Sequence, residues 1–171
     1  MTREGEFELL GDPRAIYQIM VMSRMLINFG AAFALLHSCT MATRYAVCRR
    51  QFANYKDSKV ERRLIDYQTH LFILGPNIAN AIIIYLSGRV IDELINESNK
   101  KVQEGDFKLL DILHHFTSGL KSISTEMMYK GTDELRSSCG GAGFHIASGL
   151  VSGFTDHAPL PTFEGVNTLM L

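Results

Sequence analysis

The sequence predicts an all-α fold, an antiparallel helical bundle, and three observations carry this prediction. Apolar-rich segments run from residue 13 to 52 and from residue 64 to 105, with few glycines or prolines to interrupt them. A third segment, residues 107–138, places apolar residues three and four positions apart, which is the spacing of one helix face. No segment shows the strict apolar–polar alternation of a half-buried strand.

Taken in order, the first helix is expected to begin with Asp12 as its N-cap and Pro13 as its first residue. Its apolar residues occupy more than one face, which predicts a helix mostly surrounded by protein. The polar break ANYKDSKVERR separates it from the second segment. That segment is expected to kink or restart at Pro76 and to end near Gly105.

The third segment is predicted to bury a single apolar stripe. The stripe consists of Leu109, Ile112, Leu113, Phe116, Leu120 and Ile123. After Cys139 the chain becomes rich in glycine. Gly140 and Gly141 predict either a helix C-cap and turn or a place where backbone N–H groups approach a phosphate.

Length, charge and cysteine content limit the number of domains and the classes of partner. At 171 residues the chain has the length of one domain with a core of its own. Its 17 basic residues balance 18 acidic ones, so neither nucleic acid nor a polybasic membrane contact is predicted. The three cysteines Cys39, Cys48 and Cys139 form no CxxC pair and are interpreted as core thiols.

Two uncharged stretches, residues 25–43 and 71–88, are long enough to raise the question of membrane spans. They contain Asn28, Pro76 and Asn77, which would be costly in lipid but can be satisfied inside a protein. Buried bundle helices are therefore favoured, and a protein with two membrane spans is the alternative.

Two groups of charged residues are candidates for chemistry. Arg44, Arg49 and Arg50 interrupt an apolar helix, so each guanidinium needs a carboxylate, a phosphate or water. Glu164 stands among apolar neighbours, where a carboxylate would become a better base near neutral pH. A carboxylate at a helix N-terminus is the alternative interpretation. The adjacent His114 and His115 point to different sides of a helix, so no metal site is predicted.

Several short motifs, in one order, resemble the C-terminal α-helical region of the acyl-CoA oxidases, within the acyl-CoA dehydrogenase superfamily. They are RYAVCRRQF at 44–52, LIDYQTHLFILGP at 64–76, HHFTSGLKSISTE at 114–126, CGGAGF at 139–144, SGL at 148–150 and PTFEGVNT at 161–168. The resemblance covers nearly all of residues 1–171. It implies a fragment or truncated product that lacks the family's N-terminal helical domain, β-domain and last helical domain.

The resemblance also implies an activity. Such enzymes oxidise the Cα–Cβ bond of an acyl-CoA to a trans-2-enoyl-CoA in fatty-acid β-oxidation. A glutamate removes the α-proton, a hydride passes to FAD, and O₂ reoxidises the flavin to give hydrogen peroxide. A homodimer with FAD at the subunit interface and a peroxisomal location are implied as well, although the last residues are not an SKL-type address.

By this resemblance Glu164 is the α-proton base, and its backbone N–H and Gly165 meet the substrate thioester. Arg24 is expected to contact the substrate. The implied cofactor residues are Arg49, which reaches the FAD of the neighbouring subunit, and Gln51, Phe52, Gln68, Gly140, Gly141 and Asn167. The chain reads EGVN where the family usually has EGDN, so Val166 is expected to remove a polar group near the flavin.

Two other functions stay open from the sequence. One is a non-catalytic helical module that keeps a dimerisation surface. The other is an acyl-CoA dehydrogenase, which would pass its electrons to an electron-transfer flavoprotein instead of O₂.

Overall fold

The computed structural model describes residues 3, 5–6, 12–53 and 59–170. Its long helices are α1 (Ala15–Cys48), α2 (Gln68–Gln103) and α3 (Lys108–Ser138), and they pack together as a bundle. Consecutive helices are antiparallel, so α1 and α3 run in the same direction. The end of α1, the start of α2 and the end of α3 therefore share one end of the bundle. The predicted all-α bundle is confirmed.

A short antiparallel hairpin, β1 (Arg50–Ala53) and β2 (Glu61–Arg63), follows α1 at this shared end. The prediction that the chain has no strand is wrong here. Both strands are largely exposed, so they carry no apolar–polar alternation that a sequence pattern could reveal. Residues 54–58, within the predicted polar break, lie outside the described residues.

The boundaries of α2 follow from local chemistry. The helix runs through Pro76 without a restart, because its packing on both α1 and α3 outweighs the loss of one backbone donor. It ends beside Gly105, as predicted. Gly105 has a φ of 84°, which lets the Asp106 N–H donate to the Lys101 carbonyl oxygen at 2.9 Å. The Asp106 carboxylate then accepts from the N–H of Lys108, the first residue of α3, at 3.0 Å.

Helix α1 is apolar on several faces, but this chain covers only part of it. Small residues, among them Ala31, Ala32 and Ala42, are fully buried where α2 and α3 approach closely. In contrast, Leu26 and Phe33 are more than half exposed. Within this chain α1 is therefore buried on one side and exposed on the other, so the prediction that protein surrounds most of it is only partly correct.

By length and composition alone, Ile16–Cys48 and Gln68–Gln103 could each cross a membrane. Polar side chains inside both helices are nevertheless buried against neighbouring helices. Asn28 Nδ2 donates to the Ile84 carbonyl oxygen at 3.1 Å, and Asn77 Nδ2 donates to Glu134 Oε2 at 2.8 Å. These contacts join α1 to α2 and α2 to α3.

Helix α3 buries only part of the predicted stripe. Leu113 is buried, but Ile112, Phe116 and Ile123 are at least half exposed. The face that meets the bundle is rich in polar residues. Its buried members include Thr117, Lys121, Ser122, Ser124, Thr125 and Thr132. Apolar periodicity therefore identified the helix and half of its inner face, since Leu109, Leu113 and Leu120 do pack in the core. It missed the polar residues that complete that face.

The cysteine interpretation is right for two of the three thiols. Cys39 and Cys139 are buried, and burial raises the pKa of the Cys39 thiol to about 11. Cys48, the last residue of α1, is exposed. Its position where α1 gives way to the hairpin explains why it leaves the core.

After α3 the chain continues through α4 (Gly141–Phe144), a 3₁₀ turn at Ile146–Ser148, α5 (Leu150–His157) and α6 (Asn167–Met170). Gly143 lies against the end of α3. A Cβ at this position would overlap the Arg136 carbonyl oxygen, which belongs to the backbone and cannot turn away.

Gly143→Ala is expected to lower the free energy of unfolding by about 1–3 kcal/mol, because overpacking against backbone forces a shift of α4. Gly153→Ala in α5 is the matched control, since nothing lies within 4 Å of the place that its methyl group would take and alanine favours a helix. Urea unfolding of both variants tests this. Equal stability changes in the two variants would contradict it.

Candidate functional site

Residues 161–167, here called the terminal loop, carry Glu164. Glu164 has a φ of 53° and Gly165 a φ of 114°, so two successive residues are left-handed. This conformation is unfavourable for a residue with a Cβ, and Met170 occupies the space that a side chain at Gly165 would need. The Glu164 side chain is exposed, so the described residues do not supply the apolar surroundings expected for it.

Arg24, the predicted substrate-contacting arginine, lies buried against the terminal loop. Its Nε and Nη2 atoms donate to the Glu164 carbonyl oxygen at 3.3 and 3.2 Å. Its Nη1 atom donates to Ser118 Oγ on α3 at 2.7 Å. The guanidinium thus engages the main chain of the predicted base, and its contact with substrate stays a prediction.

Lys121, which the sequence did not mark as functional, is 0% exposed. Its ammonium donates to the carbonyl oxygens of Pro161 at 3.0 Å and Gly165 at 2.7 Å, and to Asn167 Oδ1 at 2.9 Å. All three acceptors belong to the terminal loop. Lys121 therefore ties the loop to the middle of α3 on both sides of Glu164.

Asn167, predicted to bind the cofactor, is buried at the start of α6. Its Nδ2 atom donates to the Ser122 carbonyl oxygen at 3.1 Å and to Thr125 Oγ1 at 3.0 Å, while its Oδ1 atom accepts from Lys121. Both ends of the amide are thus used to hold the loop on α3. A role of this side chain toward the cofactor stays a prediction.

Arg24 and Lys121 are buried cations whose acceptors in the terminal loop are neutral oxygens. Burial lowers the pKa of both, and the Glu164 carboxylate acts in the opposite direction. Burial, followed by the charge of Arg24, also lowers the pKa of His114, whose Nε2 atom lies 3.4 Å from Arg24 Nη1. Glu164 is therefore a negative charge that faces two buried positive ones.

An apolar groove of about 420 Å³ runs along the outer face of α3 beside the terminal segment. Phe116, Ile123 and Met170 form much of its lining, and Ser118, which binds Arg24, is part of it. The stripe predicted for the core is therefore partly the wall of an open groove next to the loop of Glu164.

A second group of predicted residues lies at the shared end of the bundle. Its exposed members are Arg49, Gln51, Phe52 and Gln68. The Leu64 N–H donates to the Arg49 carbonyl oxygen at 2.9 Å, and the Tyr67 hydroxyl donates to the Gln51 carbonyl oxygen at 2.7 Å. These bonds fix the hairpin on the start of α2, with a groove of about 180 Å³ between them. Phe52, at a φ of 60° and 69% exposed, borders this groove.

This end is rich in guanidinium groups. Arg63 pairs with Asp66 at 3.1 Å, and Arg50 Nη1 donates to the Glu61 carbonyl oxygen at 2.9 Å. Arg49 makes no side-chain hydrogen bond to another described residue. A phosphate, one of the partners that the sequence left open for this guanidinium, stays a prediction.

Gly140 and Gly141 form the turn that ends α3. The Gly140 N–H donates to the Ser137 carbonyl oxygen at 3.0 Å, and Gly140 has a φ of 57°. The turn interpretation is therefore correct. Both glycines are exposed and nothing lies within 4 Å of a Cβ built on them, so the approach of a phosphate to this backbone is sterically open.

The predicted site residues thus fall into two groups. Arg24, Glu164, Gly165 and Asn167 come together midway along the bundle, and the remaining six lie at the shared end. Arg24 and Cys48 are 24 residues apart on α1, which corresponds to about 36 Å along the helix axis. The two groups therefore lie far apart along α1.

Sequence reasoning missed Lys121 together with Ser118 and Thr125. A signal was available, because Lys121 and Thr125 continue, four residues at a time, the row that begins at Leu113. A lysine in the middle of the row that holds a buried leucine must find partners inside the protein.

Comparison with known proteins places this site in context. The acyl-CoA oxidase C-alpha1 domain family matches residues 17–171. The chain is 37% identical over 155 residues to mouse peroxisomal acyl-coenzyme A oxidase 1, covering 91% of this chain and 23% of that protein. Among solved structures, Arabidopsis thaliana acyl-CoA oxidase 1 superimposes with a TM-score of 0.91 at 34% identity, over 99% of this chain and 26% of that one.

A third relative is described with its ligands. Acyl-CoA oxidase-2 of Caenorhabditis elegans, bound with FAD, ascaroside-CoA and ATP, superimposes with a TM-score of 0.85 at 32% identity. The match covers 90% of this chain and 23% of that one. This chain thus spans about a quarter of the length of the relatives it matches.

Proposed function

Because this chain belongs to the acyl-CoA oxidase family, matching its C-alpha1 domain, we propose that it is the C-terminal helical part of a flavin-dependent acyl-CoA oxidase. The reaction is the oxidation of an acyl-CoA to its trans-2-enoyl-CoA. The observation that carries this proposal is the terminal loop, which presents an exposed carboxylate on a backbone fixed by two buried cations.

In this proposal Glu164 takes the proton from the α-carbon of the acyl-CoA. As that proton leaves, negative charge develops on the thioester oxygen, which the backbone N–H of Glu164 stabilises. Arg24 holds the carbonyl oxygen of the same residue, so it limits rotation of the peptide unit that follows. The groove beside the loop offers an apolar wall for the uncharged part of the substrate.

The residues at the shared end fit the chemistry of FAD. The exposed Arg49 supplies a cation for a phosphate, Gln51 and Gln68 supply amide groups, and Phe52 offers an exposed aromatic face. The open space over Gly140 and Gly141 allows close approach of a backbone to the cofactor. When bound, FAD would accept the hydride from the β-carbon, and O₂ would restore it with release of hydrogen peroxide.

The distance of about 36 Å along α1 supports a homodimer. Arg24, which binds the main chain of Glu164, and Cys48, which precedes Arg49, are the two residues that this distance separates, so we infer that Glu164 and Arg49 of one chain serve different cofactors. A second copy would then complete each site with its own Arg49. Large apolar side chains left exposed on α1 and α2, such as Phe33 and Phe72, suit coverage by further protein.

Cellular context follows the relatives, which are named peroxisomal acyl-CoA oxidases. We extend that location, and a place in fatty-acid β-oxidation, to the protein that carries this chain. The burial of Arg24, Asn28 and Asn77 between helices supports the use of α1 and α2 in a protein bundle rather than as membrane spans.

The test is an assay of the native-length protein, defined by intact mass from its source cells. Oxygen uptake and peroxide release in equal amounts with an acyl-CoA would support the oxidase. Reduction of bound flavin without peroxide would indicate a dehydrogenase instead. Absence of both flavin and acyl-CoA binding in that protein would overturn the proposal in favour of a non-catalytic module.

Arg49→Ala is expected to weaken FAD binding by the native-length protein about 10- to 100-fold, because a charge-assisted contact to a phosphate is lost. Arg89→Ala, an exposed arginine in the middle of α2, is the control and should retain full affinity. Equilibrium titration of the apoprotein with FAD measures both. Unchanged affinity in Arg49→Ala would refute the role given to Arg49.

A further inference from the structure

Lys121 has a role in this site that neither the motifs nor the proposed reaction assigns. It is fully buried in α3, and its three ammonium protons meet three acceptors, all in the terminal loop. Resting on the proposed function, we propose that Lys121 is a positioning residue. It holds the main chain of Glu164 where the carboxylate and the backbone N–H of that residue act on the acyl-CoA.

The chemistry of the site argues against a purely stabilising role. A cation out of water is costly, and an apolar side chain of similar volume often serves stability equally well. Among the described residues no carboxylate lies within ion-pair distance of Lys121, and the acceptors it meets are neutral oxygens. What a lysine provides here, and an apolar residue would not, is three directed hydrogen bonds to the loop.

The backbone that Lys121 holds is one that would not persist unaided. Glu164 is left-handed, and a residue with a Cβ disfavours that conformation. Lys121 binds the Gly165 carbonyl oxygen and Arg24 binds the Glu164 carbonyl oxygen. The two peptide units that follow the Glu164 Cα are thus each held by a buried cation, one from α1 and one from α3.

Asn167 extends the same arrangement. Its Oδ1 atom accepts from Lys121, while its Nδ2 atom binds Ser122 and Thr125 on the next turn of α3. The amide is held in one orientation, so the Lys121 ammonium meets an acceptor whose position is fixed. The end of the loop and its start at Pro161 are thereby joined through one side chain.

The first measurement is backbone amide exchange by mass spectrometry on the native-length protein. In Lys121→Met, which keeps the length of the apolar stem, exchange across residues 161–167 is expected to rise about tenfold or more. Amides in the middle of α1 should exchange as in the unchanged protein. Lys130→Met is the matched control, because Lys130 lies on the same helix, is exposed and pairs only with Glu126 among the described residues.

The second measurement is the rate of flavin reduction by an acyl-CoA in the absence of O₂. Lys121→Met is expected to lower this rate about 100-fold, since a misplacement of about 1 Å has that effect on catalysis. FAD content and the dissociation constant of the acyl-CoA should stay close to those of the unchanged protein. The isotope effect of an α-deuterated substrate should increase, because proton removal becomes slower relative to other steps.

Each outcome decides between roles. Unchanged loop exchange in Lys121→Met would overturn the inference, and so would faster exchange with an unchanged rate of flavin reduction. Loss of FAD together with the rate would indicate a general structural role and also overturn it. Failure of the unchanged protein to reduce flavin would overturn the proposed function, while the exchange measurement would still show whether Lys121 holds the loop.

Lys121→Gln covers the case in which the methionine variant does not fold. Its amide keeps two N–H donors, so loop exchange and rate should fall between those of Lys121→Met and the unchanged protein. A glutamine variant with full FAD content, unchanged exchange and an unchanged rate would overturn the inference by itself.

Discussion

Glu164→Gln is expected to slow flavin reduction by an acyl-CoA about 10²- to 10⁴-fold, which is the range that a general base contributes. The substitution removes the group that we propose as acceptor of the α-proton and keeps the shape of the side chain. The contacts that hold the terminal loop all go to main-chain oxygens of Glu164 and its neighbours or to Asn167. The loop should therefore keep its conformation in the variant.

The Glu164 side chain can therefore be changed without removing the contacts that hold the loop. Loop exchange and FAD content of Glu164→Gln should match those of the unchanged protein, while the rate falls. A small loss of thermal stability is expected as well, because the variant lacks the negative charge that faces Arg24 and Lys121. Glu126→Gln is the control, because Glu126 is a half-exposed carboxylate on α3 that pairs with Lys130. A Glu164→Gln variant that reduces its flavin at the full rate would remove Glu164 as the base.

The sequence predicted the fold well, because helix periodicity and cap residues are local signals. Gly105 lies two residues beyond the observed end of α2. The predicted start of α1 is wrong by two residues, because the helix begins at Ala15 and the Asp12 carboxylate accepts from the Arg14 N–H instead of capping the helix. The kink or restart predicted at Pro76 is not observed, because the packing of α2 on two neighbouring helices outweighs the tendency of proline to break a helix. The hairpin after α1 could not be predicted, because exposed strands bury no face and leave no pattern.

The candidate site was predictable only in part, and the reason is physical. Glu164 and Arg49 belong to recognisable motifs, so the residues next to them in the sequence identified them as candidate site residues. The row from Leu113 predicts that Lys121 points inward, but its acceptors lie 40 to 46 positions away, and no local pattern identifies them. The polar part of the inner face of α3 was missed for the same reason, since Lys121 and Thr125 have their partners in the terminal loop.

Because the two groups of site residues lie far apart, we expect that two inactive variants restore activity when they are expressed together. Co-expression of Arg49→Ala with Glu164→Gln produces hybrid dimers as about half of the population. If each site takes Arg49 from one subunit and Glu164 from the other, every hybrid has one site with both substitutions and one with neither. About a quarter of all sites should then be intact, whereas each variant alone has none.

The recovery is measured as flavin reduction at limiting FAD, where Arg49→Ala alone retains little cofactor. Co-expression of Glu164→Gln with Lys121→Met is the matched control, because both residues act at the same terminal loop and every hybrid site carries one defect. If Arg49 and Glu164 of one chain served the same flavin, the first mixture would behave like this control and show no recovery. That result would contradict the shared site, and the distance of about 36 Å along α1 would then need another explanation, such as a rearrangement of the hairpin.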